Sequence, residues 1–499
     1  MIKKPQHQNL RCGLVFEQTV IQPFPELKTT CSMPLKVCYL LSHGFAARMV
    51  LHSDLVRQLV DAGIDTMVLA PQSAKGSLGK FAGEHLSVTT VPLEKSRLRM
   101  SLGDARRYLR EPIRENAALW SRHLYFANGM AGTYAKYRAR LNYLAHRVMF
   151  RSRWAHRIFD AFDRSRHRSK LIREKLAELK PDLVVATYPV TSFEVAALLE
   201  ARKIGISTVG HLLSWDNITC KGRFPAVPQH FISWGPIMTA ELKEHYGIED
   251  DRIYECGVPH FDAHKQLVDR ACQQRTLGEL GLDPAKPFLF FGMSAPIFAP
   301  HEIDVVEWLA KRIVENQFGF EMQLVVRPHP QNVSGNMADT SWLTRLKAVV
   351  GPRIGLNVPL LTESGLDWDM QQDDLKILVN LLAGCSVSLN SGSTLSIDAL
   401  AHDKPVIVTL FDADRELPWW KSARRIREYP HYKKLLALGG VSAVGSFAEL
   451  ETEIKSYIAD PAKRSSRRLE TIAAECHAID GRSSKRVAES LRDIAARKK

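Results

Sequence analysis

Short hydrophobic runs alternate with amphipathic stretches along most of this chain. The first run, Met33 to Leu41, leads through a polar loop into a helical pattern from Met49 to Ala62, and Gly63 fits the end of that helix. A buried strand followed by a helix is the repeating unit of a doubly wound parallel sheet, so the pattern predicts an α/β protein. Further strands are predicted over residues 65–69, 88–91, 183–187, 207–210, 231–234, 253–257, 288–292, 323–326, 385–389 and 405–409.

The order of these elements predicts two Rossmann-like domains that face each other across a cleft. A chain of 499 residues is too long to fold around one hydrophobic core. A polar helical stretch near residues 264–279 suits a connection between the two halves. We therefore predict a disordered or loosely attached extension at 1–33, a first domain at 34–262, a linker at 263–285, a second domain at 286–480 and a terminal helix at 481–499 that crosses back toward the first domain.

Positive charge is concentrated in one segment of the first half. Residues 95–180 contain 22 Lys and Arg against 7 Asp and Glu, a net charge of +15, while the whole chain carries +14. The segment is rich in aromatic residues and has helical periodicity, which predicts a basic helical insertion in the first domain. Three interpretations stay open: a solvated insertion, a surface for anionic lipid or a lipid-linked acceptor, and a nucleic-acid site. The last is the least favoured, because no pattern of a nucleic-acid-binding module is present.

The chain has no run of about 18 apolar residues, the length that a membrane-spanning helix needs. Its first residues lack the apolar core of a signal peptide, and its eight cysteines have neither metal nor disulfide spacing. These features predict a cytoplasmic protein without structural zinc. Peripheral attachment to the inner face of the cell membrane stays open because of the basic segment.

A polar turn after the strand at 385–389 is the first candidate for binding chemistry. Ser391, Gly392, Ser393 and Thr394 lead from this strand into a helix. Free backbone N–H groups and the dipole of a helix N-terminus attract phosphate, and the three hydroxyls add donors. Asp398 lies one helical turn after Thr394, where a carboxylate can accept hydrogen bonds from ribose hydroxyls.

A second candidate motif follows the strand at 323–326. Arg327, His329 and Pro330 bring a cation, an imidazole and a rigid backbone to the carboxyl end of that strand, the edge where ligands of open α/β sheets collect. Together the two motifs predict a pocket for a nucleotide mono- or diphosphate. The simpler alternative is that the hydroxyls cap a helix and the proline-rich motif is only a stiff loop.

The Arg327-Pro328-His329-Pro330 and Asn390-Ser391-Gly392-Ser393-Thr394 motifs resemble the donor domain of GT-B glycosyltransferases. The likeness is closer to bacterial surface-carbohydrate enzymes with a His-Pro and a Ser/Thr motif, namely CMP-sugar transferases and CDP-glycerol glycerophosphotransferases. The end of the chain, residues 480–487, is also similar to the closing helix of that group. The resemblance covers the chain from about residue 288 onward and implies a nucleotide-sugar donor and no bound metal.

Candidate catalytic groups lie at strand ends of the first half, across the predicted cleft. His43 follows the first strand, and His211 and Asp216 follow a later one, so each is a candidate base for an acceptor hydroxyl. Trp215, Asn217 and Lys221 belong to the same polar loop and are candidates for acceptor or cleft contact, or for anchoring a structural loop.

No cofactor and no metal are expected. The pair Asp373-Asp374 opens a predicted helix, where capping is favoured over metal binding.

The function predicted from these features is metal-independent transfer of a sugar from a nucleotide sugar to a cell-surface glycan or a lipid-linked acceptor. Three alternatives stay open. The first is a CDP-glycerol-type glycerophosphotransferase, the second a sugar-nucleotide 2-epimerase, and the third an inactive scaffold that binds glycan or membrane.

Overall fold

Two parallel sheets organise the described part of the chain. The structure is a computed structural model that describes residues 34–92, 96–110, 112–149, 152–333, 340–361 and 370–497. The predicted extension at 1–33 lies outside these residues. The strands of the first sheet are β1 (Leu35–Leu40), β2 (Ile64–Pro71), β3 (Leu86–Val91), β4 (Leu183–Ala186), β5 (Ser207–His211), β6 (His230–Ser233) and β7 (Ile253–Glu255). Those of the second are β8 (Phe288–Gly292), β9 (Gln323–Arg327), β10 (Ile354–Leu356), β11 (Val387–Asn390), β12 (Val406–Thr409) and β13 (Ser442–Val444).

Helices connect the strands. Those of the first half are α1 (Gly44–Leu51), α2 (Leu55–Asp61), α3 (Lys75–Leu78), α4 (Arg97–Arg110), α5 (Ala117–Ala127), α6 (Thr133–Met149), α7 (Arg153–Arg166), α8 (Lys170–Leu179), α9 (Ser192–Lys203), α10 (Asn217–Cys220) and α11 (Pro236–Tyr246). Those of the second half are α12 (Ala263–Gln266), α13 (Arg270–Glu279), α14 (Glu302–Val314), α15 (Pro330–Val333), α16 (Thr340–Val349), α17 (Gln372–Gly384), α18 (Leu395–Leu400), α19 (Pro430–Leu438), α20 (Phe447–Ala459), α21 (Ser465–Cys476) and α22 (Ser483–Ala496).

The strand order makes each sheet doubly wound. The first sheet runs β3-β2-β1-β4-β5-β6-β7 and the second β10-β9-β8-β11-β12-β13, with every strand pair parallel. Both faces of the central strands are buried: Val37 and Tyr39 belong to one apolar cluster, and Cys38 and Leu40 to another. The predicted fold class, two Rossmann-like α/β domains, is therefore confirmed.

The final helix returns to the first sheet. Val487, Leu491 and Ile494 of α22 are buried in the same apolar cluster as Val37. The Asp262 carboxylate accepts hydrogen bonds from the backbone N–H groups of Ser483 (2.9 Å) and Ser484 (2.8 Å). A carboxylate at a helix N-terminus satisfies amides that lack an intrahelical partner, so Asp262 fixes the start of α22.

The basic segment forms a helical insertion, α4 to α8, between β3 and β4. Helix α6 packs on α4 and α5, and a buried ion pair between Arg106 and Asp163 (2.7 Å) joins α4 to α7. Across the residues that the structure describes, no helix has both the length and the apolar character needed to cross a membrane.

Two predicted helices are each split into two. The predicted helix from Met49 to Ala62 is interrupted where Ser53 Oγ donates to the Met49 carbonyl (2.6 Å) and accepts from the Leu55 N–H (3.3 Å). The predicted helix near 264–279 is interrupted at Asp269, whose side chain caps α13. Strands β10 and β13 were not predicted, because each is short and contains a residue of low strand propensity, Gly355 and Ala443.

Candidate active site

The best place for a ligand in each sheet is the point where the strand order reverses. In the first sheet this point lies between β1 and β4, and in the second between β8 and β11. Loops that leave neighbouring strands in opposite directions open a crevice there, at the carboxyl ends of the strands. The candidate site is therefore built from the segments that follow these four strands and their neighbour β9.

In the second domain, the side chain of Asn390 shapes the turn after β11. Its Oδ1 accepts hydrogen bonds from the N–H groups of Gly392 (3.1 Å) and Ser393 (3.0 Å) and from Ser396 Oγ (3.2 Å). These two amides are consequently engaged within the turn. Gly392 has φ +84°, and a Cβ there would lie 2.6 Å from Ile426 Cγ2, so the turn needs glycine.

The three predicted hydroxyls have different surroundings. Ser391 is buried, and its Oγ lies 2.6 Å from Thr409 Oγ1. Ser393 and Thr394 are half-buried, and the Thr394 side chain makes no capping hydrogen bond. The donors that this turn offers a ligand are therefore the hydroxyls of Ser393 and Thr394, whereas Ser391 joins two strands.

Asp398 lies on α18, as its spacing from Thr394 predicts. It is nearly buried, and its Oδ1 accepts from His264 Nε2 at 3.0 Å. Burial opposes ionisation, but this hydrogen bond and the nearby charge of Arg48 lower the pKa of Asp398. The carboxylate is thus ionised at neutral pH, with one oxygen held by a histidine from the segment that links the domains.

In the motif after β9, the side chains of Arg327 and His329 already have hydrogen-bond partners within the protein. The Arg327 guanidinium is buried and bonded to Asp374 Oδ2 (2.6 Å) and Asn357 Oδ1. The half-buried His329 accepts from the Gln331 N–H at Nδ1 (3.1 Å), and burial lowers its pKa to about 4. Pro330 is the first residue of α15. At neutral pH the motif therefore offers an uncharged imidazole and a cation already paired with a carboxylate.

Asp374 does not cap its helix, although the sequence favoured that role. The cap of α17 is Gln371. Besides its bond to Arg327, the Asp374 carboxylate accepts from the Leu360 N–H at 2.9 Å. Because it neutralises Arg327 in the interior, this carboxylate supports the strand-end motif.

Arg48 is a cation of the site that the sequence analysis missed. It lies on α1 of the first domain, within electrostatic range of Asp398, Asp374 and Arg327 of the second. Its Nε is buried and makes no hydrogen bond to any described residue. Burial lowers its pKa, while the two carboxylates raise it. A buried guanidinium N–H without a partner is costly and suits an anionic ligand.

In the first domain, His43 caps α1 at the strand-order reversal. Its Nδ1 accepts from the Phe45 N–H (3.2 Å), and its ring stacks on Phe45 with centroids 5.3 Å apart. Tyr188, which follows β4, meets the His43 ring edge-on, with the two ring centroids 6.0 Å apart. The side chain is half-buried. With Nδ1 accepting, a neutral ring carries its proton on Nε2, so His43 presents a donor until the cap bond opens.

A buried glutamate in each domain holds the loops of the site. Glu194 accepts from Ser42 Oγ (2.6 Å) and from the N–H groups of Thr187 (2.9 Å) and Tyr188 (2.6 Å), which joins the ends of β1 and β4. Burial raises its pKa to about 7. Thr191 and Glu194 have the spacing of a capping box, but burial of the carboxyl could not be predicted from it.

Glu302 plays the corresponding part in the second domain. Its carboxylate accepts from the Ser294 N–H at 2.7 Å, and Ser294 Oγ donates to the Ser391 carbonyl at 2.9 Å. Burial raises the pKa of Glu302 to about 8. The ends of β8 and β11 are thus joined by Ser294, whose N–H is held by the carboxyl group of Glu302.

The other two predicted bases have depressed pKa values for different reasons. His211, the last residue of β5, is completely buried beside Tyr39 Oη (3.4 Å), and burial lowers its pKa to about 3. Asp216 is bonded to Lys221 Nζ at 2.8 Å. Burial opposes its ionisation, but the charge of Lys221 prevails and lowers the pKa of Asp216 to about 2. Both are therefore weak bases in this geometry; their catalytic role stays a prediction.

The polar loop 214–221 packs against the second domain. Trp215 is buried, with its ring 4.8 Å from His431 and 5.4 Å from Tyr432, residues that lie on α19. Asn217 is also buried. Acceptor contact by Trp215, Asn217 and Lys221 stays a prediction, but the loop's evident role is to join the two domains beside the site.

A separate cavity lies away from these loops. A cavity of about 450 Å³ is lined by Arg202, Ile206 and Gln229. Ser207 begins β5, so this cavity lies at the amino end of the strands, opposite the loops described above. It contains none of the paired titratable groups of the candidate site, and we do not assign chemistry to it.

Neither a protein-family model nor a curated protein matches the sequence. Solved structures do match in fold. UDP-N-acetylglucosamine 2-epimerase from Neisseria meningitidis, solved with UDP-N-acetylglucosamine, has 14% identity and a TM-score of 0.51 over 92% of this chain and 100% of that one. MnaA of S. aureus, solved with UDP, has 12% identity and a TM-score of 0.52 over 92% and 96%.

These similarities, together with the two facing doubly wound sheets, establish that the chain has the GT-B fold. The fold expected from the two motifs is confirmed. At such identities the comparison does not extend to the residues of the site.

Proposed function

We propose that the protein is a glycosyltransferase that moves a sugar from a nucleotide sugar to a cell-surface glycan or a lipid-linked acceptor. The observation that carries the proposal is that Arg48, on the helix after β1 of one domain, is coupled electrostatically to Asp398, on the helix that follows the hydroxyl turn of the other domain. The crevice at the strand-order reversal is where GT-B and related α/β folds hold a nucleotide. Uridine nucleotides are the first donors to test, since the matching structures were solved with UDP and UDP-N-acetylglucosamine.

In the proposed reaction the acceptor oxygen forms a bond to the anomeric carbon of the sugar while the bond from that carbon to the nucleotide phosphate breaks. The electron pair of the broken bond stays on the phosphate. Hydrogen bonds from Ser393 and Thr394 and the charge of Arg48 would stabilise it. The acceptor proton would pass to His43, whose Nδ1 becomes a base once it releases the Phe45 amide.

We further propose that the reaction takes place at the inner face of the cell membrane. We also propose that it needs no metal ion. Arg48 can supply the positive charge that a metal would otherwise bring to the leaving phosphate. Activity should therefore survive EDTA. Loss of activity in EDTA, with recovery on adding Mg²⁺, would contradict this part of the proposal.

The proposal is tested by incubating the protein with a panel of UDP-, CMP- and GDP-sugars and CDP-glycerol, with and without a lipid extract that supplies acceptors. Release of the nucleotide that depends on the extract supports glycosyl transfer. Release of CMP from CDP-glycerol would support the glycerophosphotransferase alternative instead. Absence of binding to every nucleotide would support the inactive scaffold.

A 2-epimerase is the second candidate, because the matching structures named above include one. This reaction needs no acceptor and inverts C2 of the sugar, so it would convert UDP-N-acetylglucosamine without the extract. Proton exchange at C2, followed by NMR in deuterated water, separates the two functions. Deuterium at C2 would support the epimerase, and its absence together with acceptor-dependent UDP release would support the transferase.

A further inference from the structure

Large apolar side chains lie exposed on two consecutive helices of the basic insertion, α6 and α7. The α6 stripe is the set Tyr134, Tyr137, Leu141, Leu144 and Val148, each between 58% and 76% exposed. The α7 stripe is the set Trp154, Ile158 and Phe162, each between 42% and 73% exposed. Among the described residues outside the insertion, exposed side chains of this size, such as Val314 and Leu469, are isolated in the sequence, which is ordinary for a protein surface.

The spacing shows that each stripe is one face of its helix. Members of the α6 stripe are three or four positions apart, and those of the α7 stripe are four apart, so each set is aligned along its helix. The opposite side of α6, with Ala139 and His146, is buried where α6 packs on α4 and α5. The exposed side chains of the stripes are therefore not needed for the packing of the insertion itself.

Uncompensated positive charge accompanies the stripes. Arg147, Arg153 and Arg157 are exposed on the same two helices, and among the described residues none has a carboxylate within 4.0 Å. By contrast, Arg106 pairs with Asp163 and Arg138 with Asp104 (2.6 Å) in the same insertion. Arg147, Arg153 and Arg157 each precede an apolar residue of the stripes in the sequence. A partner that complements this surface would therefore be both anionic and apolar.

We propose that the α6 and α7 stripes, with these arginines, are the surface by which the protein docks on an anionic lipid bilayer. Tyr, Trp, Leu and Val side chains enter the interfacial layer, and arginines pair with phosphate head groups at its surface. A second copy would bring the same positive charge against this face. Residues 1–33 carry four Lys and Arg against two Glu, so they do not complement it either.

The inference extends the proposed function by naming where a lipid-linked acceptor is met. The docking proposal can fail while the proposed function holds, because vesicle binding is measured without any nucleotide sugar. A protein that docks on vesicles but releases no nucleotide would refute only the proposed enzyme. A protein that releases nucleotide with a soluble acceptor but ignores vesicles would refute only the docking surface.

The test is sedimentation of the full chain with vesicles of phosphatidylcholine, alone or mixed with phosphatidylglycerol, at low and high salt. We expect sedimentation with the mixed vesicles to exceed that with phosphatidylcholine at least about tenfold, and high salt to release most of the protein. Brominated acyl chains should quench part of the tryptophan emission, and the variant Trp154→Phe should lose part of that quenching.

Matched variants separate the surface from general effects. Leu141→Ser with Leu144→Ser should lower vesicle binding at least about fivefold, while Val314→Ser with Leu469→Ser, equally exposed elsewhere, should leave it unchanged. Changing Arg147, Arg153 and Arg157 to Gln should lower binding and its salt dependence. The same change at the exposed Lys203, Lys311 and Lys485 should not.

Circular dichroism and melting temperature verify that each variant is folded. Three outcomes would overturn the proposal: no sedimentation with anionic vesicles at low salt, binding that the stripe variant and its control lower equally, or a dimer in sedimentation velocity that the stripe variant converts to monomer. The last would make a second copy the occupant of this surface.

Discussion

At the scale of single residues, His43 combines two roles that a substitution can separate. It caps α1 through Nδ1 and is a half-buried titratable group at the strand-order reversal of the first sheet. Asn is an excellent N-cap but no base. If His43 accepts the acceptor proton, His43→Asn should keep the melting temperature yet lower turnover by about 10²- to 10⁴-fold, as general-base loss does. Unchanged turnover in His43→Asn, with loss only in His43→Ala, would reduce His43 to a cap.

Substitutions that remove different hydroxyls of the turn after β11 should also have different effects on nucleotide binding and on stability. Ser393→Ala combined with Thr394→Val should weaken nucleotide binding by about 1–3 kcal/mol, the range for hydrogen bonds to a charged group, with little change in stability. Ser391→Ala is the control: it removes the bond to Thr409, so unfolding is affected more than nucleotide affinity. Calorimetric titration and urea unfolding measure the two. An equal loss of nucleotide affinity in Ser391→Ala and in the Ser393→Ala, Thr394→Val double variant would contradict the assignment of Ser393 and Thr394 as the donors.

Glu302 predicts a distinct pH dependence of stability. Its folded-state pKa of about 8 lies above the ordinary 4.5, so the folded protein binds more protons between these values and loses stability as pH rises through them. Glu302→Gln, which cannot ionise, should therefore gain stability relative to the wild type between pH 5 and pH 9, by at most about 4 kcal/mol. Urea unfolding at the two pH values measures this, and the exposed Glu178→Gln is the control. A constant difference across pH would contradict a buried, protonated Glu302.

At the scale of elements, the turn between β11 and α18 depends on its glycine. Gly392→Ala introduces both a strained φ and a contact of 2.6 Å with Ile426, whereas Gly63→Ala, at φ +73°, meets nothing within 4 Å. Strain alone should cost about 1 kcal/mol in Gly63→Ala, and Gly392→Ala should cost more and also weaken nucleotide binding. Urea unfolding of both variants checks the order. Similar losses in the two would mean that Ile426 moves aside and the turn is not held as described.

The same elements explain what the sequence could reveal. Continuous apolar runs such as Phe288 to Gly292 marked the central strands, because parallel strands are buried on both faces. The turn of Ser391 to Thr394 was visible as Gly and Ser after such a run. The partners of its side chains were not, since Asn390 Oδ1 and Thr409 could have been assigned only with the strand order in hand.

At the scale of the whole molecule, the site depends on contacts between distant parts of the chain. Arg48 is coupled electrostatically to Asp398, the ring of Trp215 packs against that of Tyr432, and the Asp262 carboxylate accepts from the Ser483 N–H. No local pattern predicts such pairs, which is why Arg48 was missed and why the contact of the Trp215 loop with the second domain could not be foreseen. Charge patterning did predict the basic insertion, because segment charge is a property of the sequence itself.

The central claim, that a nucleotide sugar binds between the two sheets, is tested most directly by the structure of a complex with a donor that the panel identifies, beginning with UDP. We expect phosphate oxygens within hydrogen-bond distance of Ser393, Thr394 and Arg48, and the ribose near Asp398. A nucleotide bound elsewhere, such as in the cavity beside Arg202 and Gln229, or no bound nucleotide at saturating concentration, would contradict the account.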